Sequence, residues 1–164
     1  MRILVLGVGN ILLTDEAIGV RIVEALEQRY ILPDYVEVLD GGTAGMELLG
    51  DMADRDHLII ADAIVSRKNA PGTIMVLRDD EVPALFTNKI SPHQLGLADV
   101  LSALRFTGEF PKKLTLVGVV PESLEPHIGL TPTVEAMITP ALEQVLLALR
   151  ESGVEVVARE ETHV

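Results

Sequence analysis

The stretch MRILVLGVGNILLTDEAIGV, residues 1–20, decides the fold. Ile3–Leu6 is an apolar run of β-formers that leads straight into Gly7 and Gly9, the pattern of a buried strand ending at a loop. The loop Asn10–Thr14 is followed by Asp15 and Glu16, and from there apolar residues recur at helical spacing. Ile18, Ile22 and Ala25 share one stripe, with Val23 and Leu26 beside it. Thr14 or Asp15 reads as the cap of that helix, and acids in a first turn suit the positive end of the dipole. Glu16 therefore falls at a loop-to-helix junction above the carboxyl end of the first strand. In an open α/β sheet that edge is where ligands bind.

The same alternation continues along the chain. Pro33-Asp34 interrupts the helix pattern, and Val36–Leu39 gives a second strand ending in Asp40-Gly41-Gly42-Thr43. A short helix is expected over Ala44–Met52 and a third strand over His57–Ala61, apolar enough for the centre of a parallel sheet and stopping at Asp62. The turn cluster Asn69-Ala70-Pro71-Gly72 precedes a strand over Thr73–Leu77, and Asp79-Asp80-Glu81 reads as a solvated acidic turn. Ser91-Pro92-His93-Gln94 carries capping-box spacing with proline at the first helical position, so a helix is expected to about Leu104 with His93 in its first turn. Leu114–Val120 is a further strand. Thr131-Pro132 opens a last long helix, kinked by Pro140 and ending near Ser152-Gly153. Val154–Ala158 reads as an edge strand, and 159–164 as a polar tail. The expectation is one α/β domain over 1–158, a three-layer sandwich with a mostly parallel twisted sheet and helices on both faces.

Composition excludes several classes of function. The 164 residues fit one well-filled domain, and with 48% hydrophobic but only 3% aromatic residues, aliphatic side chains must fill the core. No apolar run approaches the ~18 residues of a membrane span, and no signal segment precedes the first strand. The chain has no cysteine, which removes disulfides, thiolate ligands and a Cys nucleophile together and suits a cytoplasmic protein. A formal net charge of −12 argues against nucleic acid as partner. Gly7-x-Gly9-x-x-Leu12 lacks the third glycine of a dinucleotide fingerprint, and there is no P-loop, HExxH or GxSxG.

Placed side by side, the turns after the strands hold the chemistry. The first supplies Gly9, Asn10 and Glu16, the second Asp40-Gly41-Gly42, the third Asp62, and the turn after the fourth supplies His93. Parallel strands would bring them to one rim, where two carboxylates and an imidazole make a metal site suited to Zn, Ni, Co or Mn. Each residue also has a plainer reading. Glu16 suits any helix start, Asp62 can cap the segment after its strand, His93 can sit on the surface, and Asp40-Gly41-Gly42 is ordinary turn chemistry.

The segments LGVGNILLTDEAIGV, DGGTAG, HLIIADAI and ISPHQLGLADVL together resemble the hydrogenase maturation endopeptidases, with the opening GNxLxxDE and the SPHQ segment the most specific parts. Ala17 stands where that family often has glycine, a change affecting helix-start flexibility more than chemistry. The resemblance implies that Glu16, Asp62 and His93 are metal ligands, and that Asp40, Gly41 and Gly42 lie beside the cleft and contact substrate. It implies no catalytic group beyond those ligands. The implied activity is removal of a C-terminal peptide from the large-subunit precursor of a nickel-iron hydrogenase after nickel insertion, with the nickel arriving on the substrate and zinc or cadmium able to take its place. Two other functions compete: a non-catalytic module that senses nickel loading, and a peptidyl-tRNA hydrolase-like enzyme suggested by the GxGN opening but opposed by the charge.

Overall fold

The computed structural model describes residues 1–87 and 92–159. Strand β1 (Ile3–Val8) is buried throughout and lies in a five-stranded sheet. Strands β3 (Val36–Gly42), β4 (His57–Ala63) and β6 (Lys113–Val119) run parallel to it or to each other, and β5 (Ile74–Arg78) runs antiparallel to β6 at one edge. The strand order β3-β1-β4-β6-β5 makes β1 and β4 the point where successive crossovers part to opposite sides. In a doubly wound sheet that crevice is the ligand position.

Successive strand residues face opposite sides, so each buried strand feeds two cores. Ile3, Val5, Ile59, Ala61, Val117 and Val119 pack with helices α1 (Ile18–Arg29), α5 (Pro132–Glu135) and α6 (Ile138–Glu151). Leu4, Leu6, Leu58, Ile60, Leu114 and Leu116 pack with α2 (Leu49–Met52), α3 (Glu81–Thr87) and α4 (Pro92–Thr107). This is the expected α/β sandwich with a mostly parallel sheet and helices on both faces.

Several local expectations are corrected. The helix expected over Ala44–Met52 is a 3-10 turn, Met46–Leu48, running into the short α2. Helix α3 follows the acidic turn Asp79-Asp80 and was not expected, because EVPALFT is too short to show a period and holds a proline, which sits in its first turn. The last helix is broken at Ala136-Met137 rather than kinked at Pro140, since a proline has no N–H to bond back to Ala136 and is tolerated only in the first turn of a restarted α6. Val157–Ala158 (β7) is not an edge of the main sheet but pairs antiparallel with β2 (Tyr30–Ile31). Ser91, read as the cap of α4, and residues 160–164 of the tail lie outside the described residues. No helix among those described is long and apolar enough to cross a membrane.

Candidate acid–imidazole site

The chain leaves β1 through Gly9, whose φ of +133° is open only to glycine and where a side chain would strike the backbone carbonyl of Glu16. Residues Thr14–Ala17 form a 3-10 turn and α1 follows. Gly19 presses the start of α1 onto the sheet, because a Cβ there would collide with the backbone oxygens of Val8 and Ala61. That contact sets Glu16 over the β1–β4 crevice. Its Oε1 accepts a hydrogen bond from the Asn10 N–H at 3.2 Å.

Asp62 is the sixth residue of β4, inside the strand rather than in the turn after it, and is fully buried. Its Oδ1 accepts the Ala63 N–H at 2.8 Å and its Oδ2 accepts the side-chain amide of Gln94 at 2.9 Å. His93, in the first turn of α4, is 5% exposed. The helix start expected for His93 is present; what differs is the strand before it, since β5 is antiparallel to β6 and ends at the amino edge beside Thr115.

The imidazole lies between the two carboxylates. Nδ1 is 3.2 Å from Glu16 Oε1, and Nε2 is 3.1 Å and 3.3 Å from the two oxygens of Asp62. Three residues remote in sequence are thus joined by direct contacts. Burial opposes a charge on the ring, but the hydrogen bonds to Asp62 and Glu16 outweigh it and push the His93 pKa up to about 9. The bond from His93 holds the Glu16 carboxyl below its usual range, whereas burial drives Asp62 upward. With its pKa pushed up to about 9 the ring is protonated at neutral pH, an imidazolium that donates one N–H to each neighbour.

Two carboxylates and one imidazole are the donor set of a borderline divalent cation such as nickel or zinc. As the two ring nitrogens point apart, a cation entering the trio replaces the proton at one of them. Among the described residues no three side chains are already gathered around a common point in metal-holding geometry. Asp40 is exposed at the end of β3, paired with Gly7 on the same rim, and its Oδ1 accepts the Gly42 N–H at 2.9 Å. Gly42, at φ +52°, offers its carbonyl to the Gly9 N–H at 2.7 Å, and Gly41 is buried. These residues brace the β1 turn.

Two side chains carry roles that the sequence reading did not assign. Gln94, read only as part of a capping box, is 4% exposed and holds Asp62. Its one visible signal is its place beside His93 in the SPHQ segment. Neither Thr14 nor Asp15 caps the helix: the residue preceding the 3-10 turn is Leu13, and no side chain caps either turn or helix. Asp15 is instead fully buried and accepts the N–H groups of Glu122 (2.9 Å), Ser123 (3.0 Å) and Thr131 (2.8 Å), together with the Thr131 hydroxyl. No local pattern announces partners more than a hundred residues away.

Comparison with known proteins places this geometry in context. A family model described as hydrogenase maturation protease matches residues 20–148. The chain is 91% identical over 163 residues to the hydrogenase 2 maturation protease of Escherichia coli (strain K12), spanning 99% of each. It is 46% identical to the hydrogenase expression/formation protein HoxM of Azotobacter vinelandii, covering 97% of this chain and 77% of that one. Among solved structures it is similar to the hydrogenase maturating endopeptidase HybD from E. coli, with a TM-score of 0.95, 92% identity and coverage of 97% and 98%. A [NiFe] hydrogenase maturation protease from Thermococcus kodakarensis superposes with a TM-score of 0.74 at 25% identity, over 90% of this chain and 98% of the other.

Proposed function

Because this chain belongs to the hydrogenase maturation protease family and is an endopeptidase of that type, we propose a specific task for its buried acid–imidazole trio. The protein removes a C-terminal peptide from the precursor of a nickel-iron hydrogenase large subunit once nickel has been inserted. The nickel is part of the substrate. It engages Glu16, Asp62 and His93 through its free coordination positions, and that contact docks the precursor with the scissile bond at the crevice.

The observation that carries this reading is the contact chain Glu16–His93–Asp62 at the β1–β4 crevice, built from three separate segments. Nickel displaces the proton from one ring nitrogen, and the carboxylate that faced the other nitrogen turns so that all three donors reach the one ion. Asn10 and Gln94 hold the two carboxylates in place until the nickel arrives. Peptide hydrolysis then adds one water across the C–N bond and releases a carboxylate and an amine, with the nickel supplying Lewis-acid charge. Asp40, Gly41 and Gly42 border the bound segment from the β3 side. Zinc or cadmium takes the nickel position when either is offered alone. The work is done in the cytoplasm, which the cysteine-free chain suits.

Purified protein incubated with nickel-loaded precursor should yield a shortened large subunit and a free peptide, while nickel-free precursor stays uncut. Equal cutting of both forms would refute the nickel requirement. Binding of the loaded form without any product would refute the proposed cleavage of this precursor and leave a nickel-sensing module.

A further inference from the structure

Two loops beside the trio expose large apolar side chains although both are firmly anchored. In the first, after β1, Ile11 is 41% and Leu12 55% exposed; in the second, between β6 and α5, Leu124 is 40% and Ile128 68% exposed. The loops are stitched together by their backbones. Leu13 and His127 form a parallel β-bridge, the His127 N–H donates to the Leu12 carbonyl at 3.0 Å, and the Thr14 N–H donates to the His127 carbonyl at 2.9 Å. The Asp15 N–H donates to the Ser123 carbonyl at 3.1 Å, and the Thr14 hydroxyl donates to the Glu125 carbonyl. The buried Asp15 carboxylate then fixes both ends of the second loop through Glu122, Ser123 and Thr131. Such a loop is held in place, yet its apolar side chains face water, a combination that marks a contact surface rather than a satellite core.

We propose that Ile11, Leu12, Leu124 and Ile128 form a docking platform for the precursor's own C-terminal segment next to the cut, an extended peptide with apolar and basic side chains. The proposal rests on the reading that this chain processes such a precursor. Place supplies the first argument: the first loop runs directly into the 3-10 turn that carries Glu16, so the platform adjoins the trio along the chain. Charge supplies the second. Glu122 and Glu125 are exposed on the same loop, no Lys or Arg stands in either 10–14 or 121–131, and the whole chain carries −12. An occupant that covers the apolar side chains and bears cations matches both features.

The test measures processing of the nickel-loaded precursor by three proteins. These are the wild type, a Leu12→Ser/Ile128→Ser double variant, and a Phe106→Ser control, Phe106 being 94% exposed at the far end of α4. The platform variant should raise KM about tenfold with kcat changed less than about twofold, as expected when ground-state and transition-state binding are lost alike. The control should match the wild type, and all three should keep the same melting temperature. A Glu122→Gln/Glu125→Gln variant should also raise KM and flatten its dependence on salt. Unchanged KM in the platform variant, with the wild type active, overturns the docking proposal alone. A wild type that dimerises at assay concentration, with the platform variant monomeric, assigns the patch to a second copy and also overturns it. A wild type that cuts nothing removes the functional reading itself, and the platform with it.

Discussion

Gln94 shows how the trio is held. Its amide nitrogen donates to Asp62 Oδ2 at 2.9 Å and to the Ala63 carbonyl at 3.0 Å, so one buried side chain fixes the carboxylate to the end of its strand. Gln94→Leu keeps the volume and leaves both acceptors without that donor, a loss worth about 1–3 kcal/mol of stability. Processing should fall at least about tenfold, the range typical for residues that orient a ligand. Unfolding in denaturant and the processing assay check the two effects, and wild-type values in both would remove Gln94 from this role. The acids and the imidazole were legible at this scale because each stands where a strand or helix boundary can be read locally. Gln94 and Asp15 were not, since their partners come from other segments and spacing carries no trace of them. Asp15 was misread for the same reason, an acid before a helix being a common cap.

At the scale of elements, His57 ties three of them at the rim opposite the trio. It begins β4, is fully buried, and meets Ser152 Oγ at 2.7 Å after α6 and Thr115 Oγ1 at 2.8 Å on β6. Burial pushes its pKa from 6.5 down to about 4, with Lys113 acting in the same direction. The unfolded chain therefore takes up a proton below about pH 6.5 that the folded chain refuses until about pH 4. This part of the stability is full above that window and lost as pH falls through it, to a total on the order of 3 kcal/mol. Between about pH 7 and about pH 4.5 the wild type should lose more stability than His57→Gln, which has no imidazole to titrate. Parallel losses in the two proteins would contradict the burial argument. Most elements were readable from their apolar period, as with α1 and the runs of β1 and β4. Helix α3 and the β2–β7 pair were not, because seven residues and two residues show no period. The antiparallel sense of β5 was equally invisible, as strand direction follows from what the connection packs against.

Across the whole molecule, topology does what local sequence cannot. Strand order β3-β1-β4-β6-β5 sets the ends of β1 and β4 side by side, so Glu16 and Asp62 become neighbours although 45 residues separate them. The helices on the α4 side then close His93 over both. The sequence reading reached the same rim from a mostly parallel sheet, and it holds because the antiparallel strand β5 lies at the sheet's edge. Central to the account is that these three side chains engage a single divalent ion. Crystals soaked in nickel, with anomalous scattering collected at the nickel edge, test that most directly. The account predicts one peak within about 2 Å of donor atoms of Glu16, Asp62 and His93. A peak elsewhere, or none while the Glu16–His93–Asp62 hydrogen bonds persist unchanged, would contradict it.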